Sequence, residues 1–141
     1  MRPPCPFCAV VRGDGPTHRV AEGPLALAFL DAHPAADGHT LVVPRRHVES
    51  LSALAPEEGA EMFALPARVA GALRAGFAPG VVLYLADGWE AGQDVAHTHL
   101  HVIPKRVDDD LTVDLPTLAA PADPERAAAA LRRLLAPSSD T

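Results

Sequence analysis

The chain reads as an α+β protein: an antiparallel sheet of about five strands, one long helix and a C-terminal helix. Three observations predict this. Short apolar runs bounded by turn residues recur at 18–22, 25–31, 39–44, 81–86 and 95–104, the lengths expected of strands. Hairpin-type turns join them, not repeated βαβ units. Between the third and fourth runs, residues 52–77 carry apolar side chains at helical spacing. At 141 residues the chain is long enough for one domain with a single core. We therefore expect one domain over 1–141, with 107–141 as an acidic extension holding a short helix.

Each element has its own signal. Residues 1–16, rich in Pro and Gly, read as loop. His18–Glu22 and Leu25–Asp31 flank the turn residues Gly23-Pro24. His33–Gly38 (HPAADG) is turn chemistry leading into His39–Pro44. Pro56 followed by Glu57 and Glu58 starts a helix whose stripe is Leu54, Met62, Leu65, Val69, Leu73 and Phe77. Pro66 should kink or divide it. Val81–Ala86 is a strand, Asp87–Gln93 a loop, and Val95–Pro104 a strand of strict alternation. Residues 107–123 read as an irregular excursion. Asp123-Pro124-Glu125 then caps and opens a helix running to about Leu135.

Composition removes several function classes. The net charge is −6, so a basic surface for a long nucleic acid is not expected. Most of that charge lies beyond residue 106. No apolar run reaches membrane-spanning length. The N-terminus lacks the apolar stretch of a signal peptide, which makes the cytoplasm the expected compartment. In that setting Cys5-x-x-Cys8 reads as redox or metal chemistry.

The strongest signal is His97-Thr98-His99-Leu100-His101. On a strand, alternate side chains share a face, so these three imidazoles would line up opposite Leu100 and Val102. Packing alone gives little reason for three polar rings in a row. Two chemistries suit the spacing: metal ligation and nucleophilic catalysis by one imidazole flanked by others.

The segment Gly92-Gln93-Asp94-Val95-Ala96-His97-Thr98-His99-Leu100-His101-Val102-Ile103 closely resembles the signature of the histidine-triad family. Ala28–Asp31 and Asp37–Val48 resemble that family's nucleotide-binding hairpin, and Cys5-Pro6-Phe7-Cys8 the start of many bacterial members. The likeness spans roughly residues 5–106. It implies chemistry at the α-phosphate of a nucleoside phosphoramidate or dinucleoside polyphosphate. His99 would be the nucleophile and carry a nucleotidyl intermediate. His101 would contact a phosphate oxygen, and Gln93 the phosphate or leaving-group region. Asp31 would bind ribose, Phe29 and Leu30 would wall the base, and the backbone near Asp94 and Val95 would offer donors to the phosphate.

The resemblance also implies a structural zinc held by Cys5, Cys8, His47 and His97, no organic cofactor, and pairing as a homodimer. His39 is expected to be a hydrogen-bonding structural residue, with His18 and His33 on the surface. Arg45, Arg46, Lys105 and Arg106 stand near the motifs in sequence, as solvated surface or as a source of positive potential. Asp94 departs from the Ser or Thr of many members, either facing solvent or acting as an acid toward the leaving group. Two other readings stay open: a zinc hydrolase with His97, His99 and His101 as ligands, and a nucleotide-binding scaffold with little turnover.

Overall fold

The computed structural model describes residues 4–112, 115 and 123–137. The chain divides into two compact units, residues 1–111 and 112–141. The first holds helix α1 (Pro6–Arg12) and strands β1 (Arg19–Glu22), β2 (Ala26–Leu30) and β3 (Thr40–Pro44). A 3-10 turn follows at Leu51–Ala53, then helix α2 (Pro56–Gly76), strand β4 (Gly80–Tyr84), a second 3-10 turn at Trp89–Ala91, and strand β5 (Leu100–Lys105). The strands form one antiparallel sheet in the order β1-β2-β3-β5-β4. This is the expected α+β architecture with its five strands.

The sheet is covered on both faces. On one, Ala26, Ala28, Val42 and Val102 meet Met62, Leu65, Val69 and Leu73 of α2. On the other, Leu27, Phe29, Leu41 and Val43 meet Phe7, Val10 and Val11 of α1. Strands β2 and β3 are therefore buried on both sides, which is why they read as continuous apolar runs.

Three expectations are corrected. The N-terminal segment is not all loop: α1 forms there, with Pro6 in its first turn, the Cys8 N–H donating to Cys5 Sγ (3.4 Å), and Gly13 closing it at φ 85°. Its apolar residues at i, i+3 and i+4 dock on the sheet, and that docking sustains a helix too short to persist alone. Next, Pro66 neither ends nor divides α2. A proline inside a helix costs about 3 kcal/mol, whereas burying Met62, Leu65, Val69 and Leu73 contributes roughly 1.5–3 kcal/mol each. Packing on the sheet prevails. Lastly, β5 begins at Leu100, not Val95. The His97 N–H bonds to Val95 O (2.8 Å) and the Thr98 N–H to Val48 O (2.6 Å), so the chain joins the ladder only after the first two triad residues.

The start of α2 is held from outside. The Glu58 carboxylate accepts from Ala55 N–H (2.9 Å) and from the Arg46 guanidinium (2.6 and 3.1 Å). The Arg46 hydrogen bond leads in holding that carboxyl below its ordinary pKa. In the second unit, α3 (Pro124–Leu135) forms where it was expected. The Asp123 side chain accepts from Arg126 N–H (3.1 Å) at its start, and Arg132 and Arg133 lie in its last turn. The irregular excursion expected at 107–123 falls largely outside the described residues. Among the described residues, no helix is long and apolar enough to cross a membrane.

Candidate active site and metal cluster

His97, His99 and His101 separate into two sites, and hydrogen bonds decide which ring nitrogen each offers. A carbonyl can only accept. His97 Nε2 lies 2.8 Å from Pro44 O, so Nε2 carries the proton. Its Nδ1 lone pair then faces Cys5 Sγ (3.5 Å) and Cys8 Sγ (3.6 Å). His99 is reversed. Its Nδ1–H donates to His97 O (2.8 Å), which leaves the Nε2 lone pair for other chemistry.

The third ring is set by a fourth histidine. Ala35 N–H donates to His39 Nδ1 (2.9 Å), so His39 carries its proton on Nε2. That Nε2–H donates to His101 Nδ1 (2.9 Å) and lies 3.4 Å from Asp31 Oδ2. His101 is left with Nε2–H as its remaining donor. Burial lowers the pKa of His39, partly opposed by the Asp31 charge. Burial likewise leads in lowering His101, with the charges of His99 and His39 adding to it and those of Asp31 and Asp94 opposing. Both rings are neutral at pH 7. The expectation that His39 is a hydrogen-bonding residue holds, and its partner makes it part of the site. His18 and His33 lie on the surface as expected.

His99 and His101, with Asp31, line a cleft of about 770 Å³, within the usual range for small-ligand sites. Its walls include Phe29, Leu30, Asp31, Asp94, Val95, His99 and His101. The structure thus gathers all of the expected substrate contacts except Gln93. The Gln93 amide is occupied by backbone: Nε2 donates to Glu49 O (2.8 Å) and Val95 O (3.0 Å), and Oε1 accepts from Gly88 N–H (2.8 Å). With both N–H groups taken, Gln93 fastens the 88–95 loop in place and has no N–H left to give a phosphate.

Phe7 was not singled out from the sequence. It lines the cleft, with its ring 5.1 Å from that of His99 and 5.7 Å from that of Phe29. The signal that could have found it is the spacing of Phe7, Val10 and Val11, one helical face inside a segment read as loop.

Asp94 is mostly exposed, at 83%, and still reaches the site: Oδ1 lies 3.5 Å from His99 Nε2. The basic residues near the motifs do not. Arg45 bonds to Gly23 O, Arg46 to Glu58, Lys105 to Asp109 and Arg106 to Phe77 O. None of them lines the cleft.

The second cluster sits at the other end of the triad. The ligating atoms of Cys5, Cys8, His47 and His97 all lie within 4.8 Å of one another. His47 Nδ1 is 3.2 Å from Cys8 Sγ. A tetrahedral zinc bound at about 2.0–2.3 Å sets ligand atoms about 3.3–3.8 Å apart. The measured 3.2, 3.5 and 3.6 Å suit that geometry. The donors fit as well: two thiols, plus a His97 ring that shows Nδ1 while its other nitrogen is anchored on a carbonyl. Burial, then the hydrogen bond and charge of Cys5, raise the Cys8 thiol, so a cation is what would draw it to thiolate. The triad itself is no ligand set. Among the described residues its three rings make no common group, because they face the thiols, the cleft and His39 respectively. This removes the structural basis for the reading in which the triad holds a catalytic zinc.

Comparison with known proteins agrees with this geometry. The family model described as HIT domain matches residues 12–108. An uncharacterised HIT-like protein of Mycobacterium tuberculosis is 44% identical over 111 residues, covering 78% of this chain and 77% of the relative. A Schizosaccharomyces pombe protein named adenosine 5'-monophosphoramidase is 38% identical over 101 residues, covering 72% and 74%. The crystal structure of a zinc-bound histidine triad family protein from Mycobacterium smegmatis superposes with a TM-score of 0.73 at 40% identity, covering 92% of this chain and 94% of that one.

Proposed function

The chain belongs to the HIT domain family, and on that premise we propose that it is a nucleotide hydrolase or transferase acting at the α-phosphate of a nucleoside phosphoramidate or dinucleoside polyphosphate. The observation that carries this reading is the His99 ring. Its Nδ1–H is tied to His97 O, which leaves an unprotonated Nε2 on a ring that lines a nucleotide-sized cleft.

The His99 Nε2 lone pair attacks the α-phosphorus. The bond from phosphorus to the leaving group breaks, its electrons stay with the leaving atom, and that atom takes a proton. Water then attacks the nucleotidyl-His99 phosphorus. The P–Nε2 bond breaks, the imidazole regains its lone pair, and the nucleoside monophosphate departs; a second acceptor in place of water makes the reaction a transfer. His101 Nε2–H donates to a non-bridging oxygen, an interaction that strengthens as charge builds in the transition state. His39 positions His101 by fixing its tautomer. Asp31 accepts from ribose hydroxyls, while Phe7, Phe29 and Leu30 wall the base. Gln93 positions the loop that carries Asp94 and Val95. The relative named as a phosphoramidase supports the phosphoramidate substrate.

Cys5, Cys8, His47 and His97 hold a zinc, supported by their geometry and by the zinc-bound relative. Zinc there supplies a structural crosslink between α1 and the triad segment. The whole chain acts as one histidine-triad-like domain with 107–141 as its acidic extension. It works in the cytoplasm as a homodimer, a state supported by the exposed apolar Phe63 on α2 and Leu83 and Tyr84 on the edge strand β4.

The test is to offer adenosine phosphoramidate, quench early, and locate the adduct by mass spectrometry. An adenylyl group on His99 is expected. Turnover that persists in His99→Ala would overturn the reading.

A further inference from the structure

The two clefts that meet at Asp94 contain carboxylates and no lysine or arginine. The cleft of His99 is lined by Asp31 and Asp94 and by no Lys or Arg. A second cleft, of about 560 Å³, adjoins it, lined by Glu49, Ser50, Asp87, Gly88, Trp89, Gln93, Asp94 and Ala96. It too has no Lys or Arg. Asp94 is the one charged residue common to both. Its Oδ1 lies 3.5 Å from His99 Nε2, close enough for its charge to act on a leaving atom of the phosphorus that this nitrogen attacks. Trp89 on the far wall is 82% exposed, and an indole face attracts cations. No lysine or arginine lies on these walls, and the bases of the first cleft are the histidines His18, His33, His99 and His101, so a cationic leaving group beside Asp94 meets no fixed guanidinium or ammonium.

We propose that Asp94 sets the charge preference of the leaving-group side, selecting phosphoramidates of amines that carry a further positive charge over substrates whose leaving group is anionic. This rests on the nucleotidyl-transfer reading given above. For the P–N bond to break, its nitrogen first takes a proton from solvent and so becomes positive; the bond's electron pair then stays on nitrogen, which leaves as a neutral amine. A carboxylate at Asp94 favours that protonation. A polyphosphate or carboxylate-bearing leaving group gains or brings negative charge instead, and the same carboxylate opposes it. Asp94 gives up no proton in this role; it acts by its charge alone.

The test uses three adenosine 5'-phosphoramidates of equal length, whose amines end in a quaternary ammonium, a neutral amide or a carboxylate. Values of kcat/KM are measured for wild type, Asp94→Asn and Asp94→Ser, with thermal midpoints confirming that each variant folds. In the wild type the ammonium compound is preferred over the carboxylate compound. Asp94→Asn lowers that ratio about three- to tenfold, and raising the salt concentration lowers it in the wild type. A ratio that is the same in wild type and both variants, while the adenylyl adduct on His99 still forms, overturns the proposal and leaves the function standing. If none of the three is turned over, the function fails. Calorimetric binding of the same compounds then reads the charge ratio, and equal affinities in wild type and Asp94→Asn overturn the proposal as well.

Discussion

His97 and His99 stand two residues apart, both buried, and serve different chemistry because opposite ring nitrogens are tied down. His97 gives Nε2–H to Pro44 O and shows Nδ1 to two thiols. His99 gives Nδ1–H to His97 O and keeps Nε2 as a lone pair. The sequence spells the two alike. A backbone carbonyl on a different side of each ring separates the proposed ligand from the proposed nucleophile.

The sharpest way to break this comparison is to delete each ring. His99→Ala is expected to lower turnover of an adenosine phosphoramidate by about a thousandfold or more, with the zinc content unchanged. Metal analysis beside a steady-state assay checks both halves. His97→Ala should do the reverse first. It removes a ligand and a wholly buried ring bonded to Pro44 O, so bound zinc falls below one per chain and stability drops by about 2–4 kcal/mol. Chemical denaturation measures the second effect. If His99→Ala loses the metal, or His97→Ala keeps it in full, the division of labour is wrong.

Acid sharpens the contrast at the other end of the triad. Burial holds His39 and His101 below their ordinary pKa of about 6.5. As pH falls through about 6.5 the unfolded chain binds protons there, and the folded chain does so only at lower pH. The unfolded state takes up more protons in that window, so stability declines as pH drops toward the folded values. Urea midpoints measured at steps between about pH 7.5 and 5 should decrease. A flat profile would mean that the rings are not held neutral. The smallest effect belongs to Thr98, which lies between the two rings. Its Oγ1 is the buried side-chain polar atom without a partner among the described residues. Thr98→Val should raise stability by about 1 kcal/mol, read as a higher thermal midpoint with both sites intact.

Legibility in the sequence followed the same divide. Strands β2 and β3 showed as apolar runs because both of their faces are covered, and α2 showed through Met62, Leu65, Val69 and Leu73. The Cys/His cluster was expected from the family resemblance, whereas the spacing of Cys5 and Cys8 by itself pointed only to redox or metal chemistry. The every-second-residue spacing of His97, His99 and His101 misplaced the start of β5, since the backbone at 97–98 bonds to Val95 and Val48 and not to a neighbouring strand. Gln93 was expected at the phosphate or leaving-group region; it lines the neighbouring cleft, but three backbone groups already engage its amide, partners that the pattern does not carry. The tautomers could not be read at all, because they depend on Pro44 and Ala35, remote from the rings they set.

Helix α1 has a consequence for how the protein is made. It spans seven residues, below the length at which a helix persists by itself, and its Cys5 meets a ring 92 residues further along the chain. Its apolar face docks on Leu27, Phe29, Leu41 and Val43, which follow it closely in the chain, but the ring that meets its thiols comes only with His97. Throughout that interval both thiols are open to solvent, to oxidants and to whichever soft metal ion arrives first. The wall that α1 gives the cleft is therefore tied to the triad segment only once His97 is in place, and the chemical state of two cysteines until then bears on that tie.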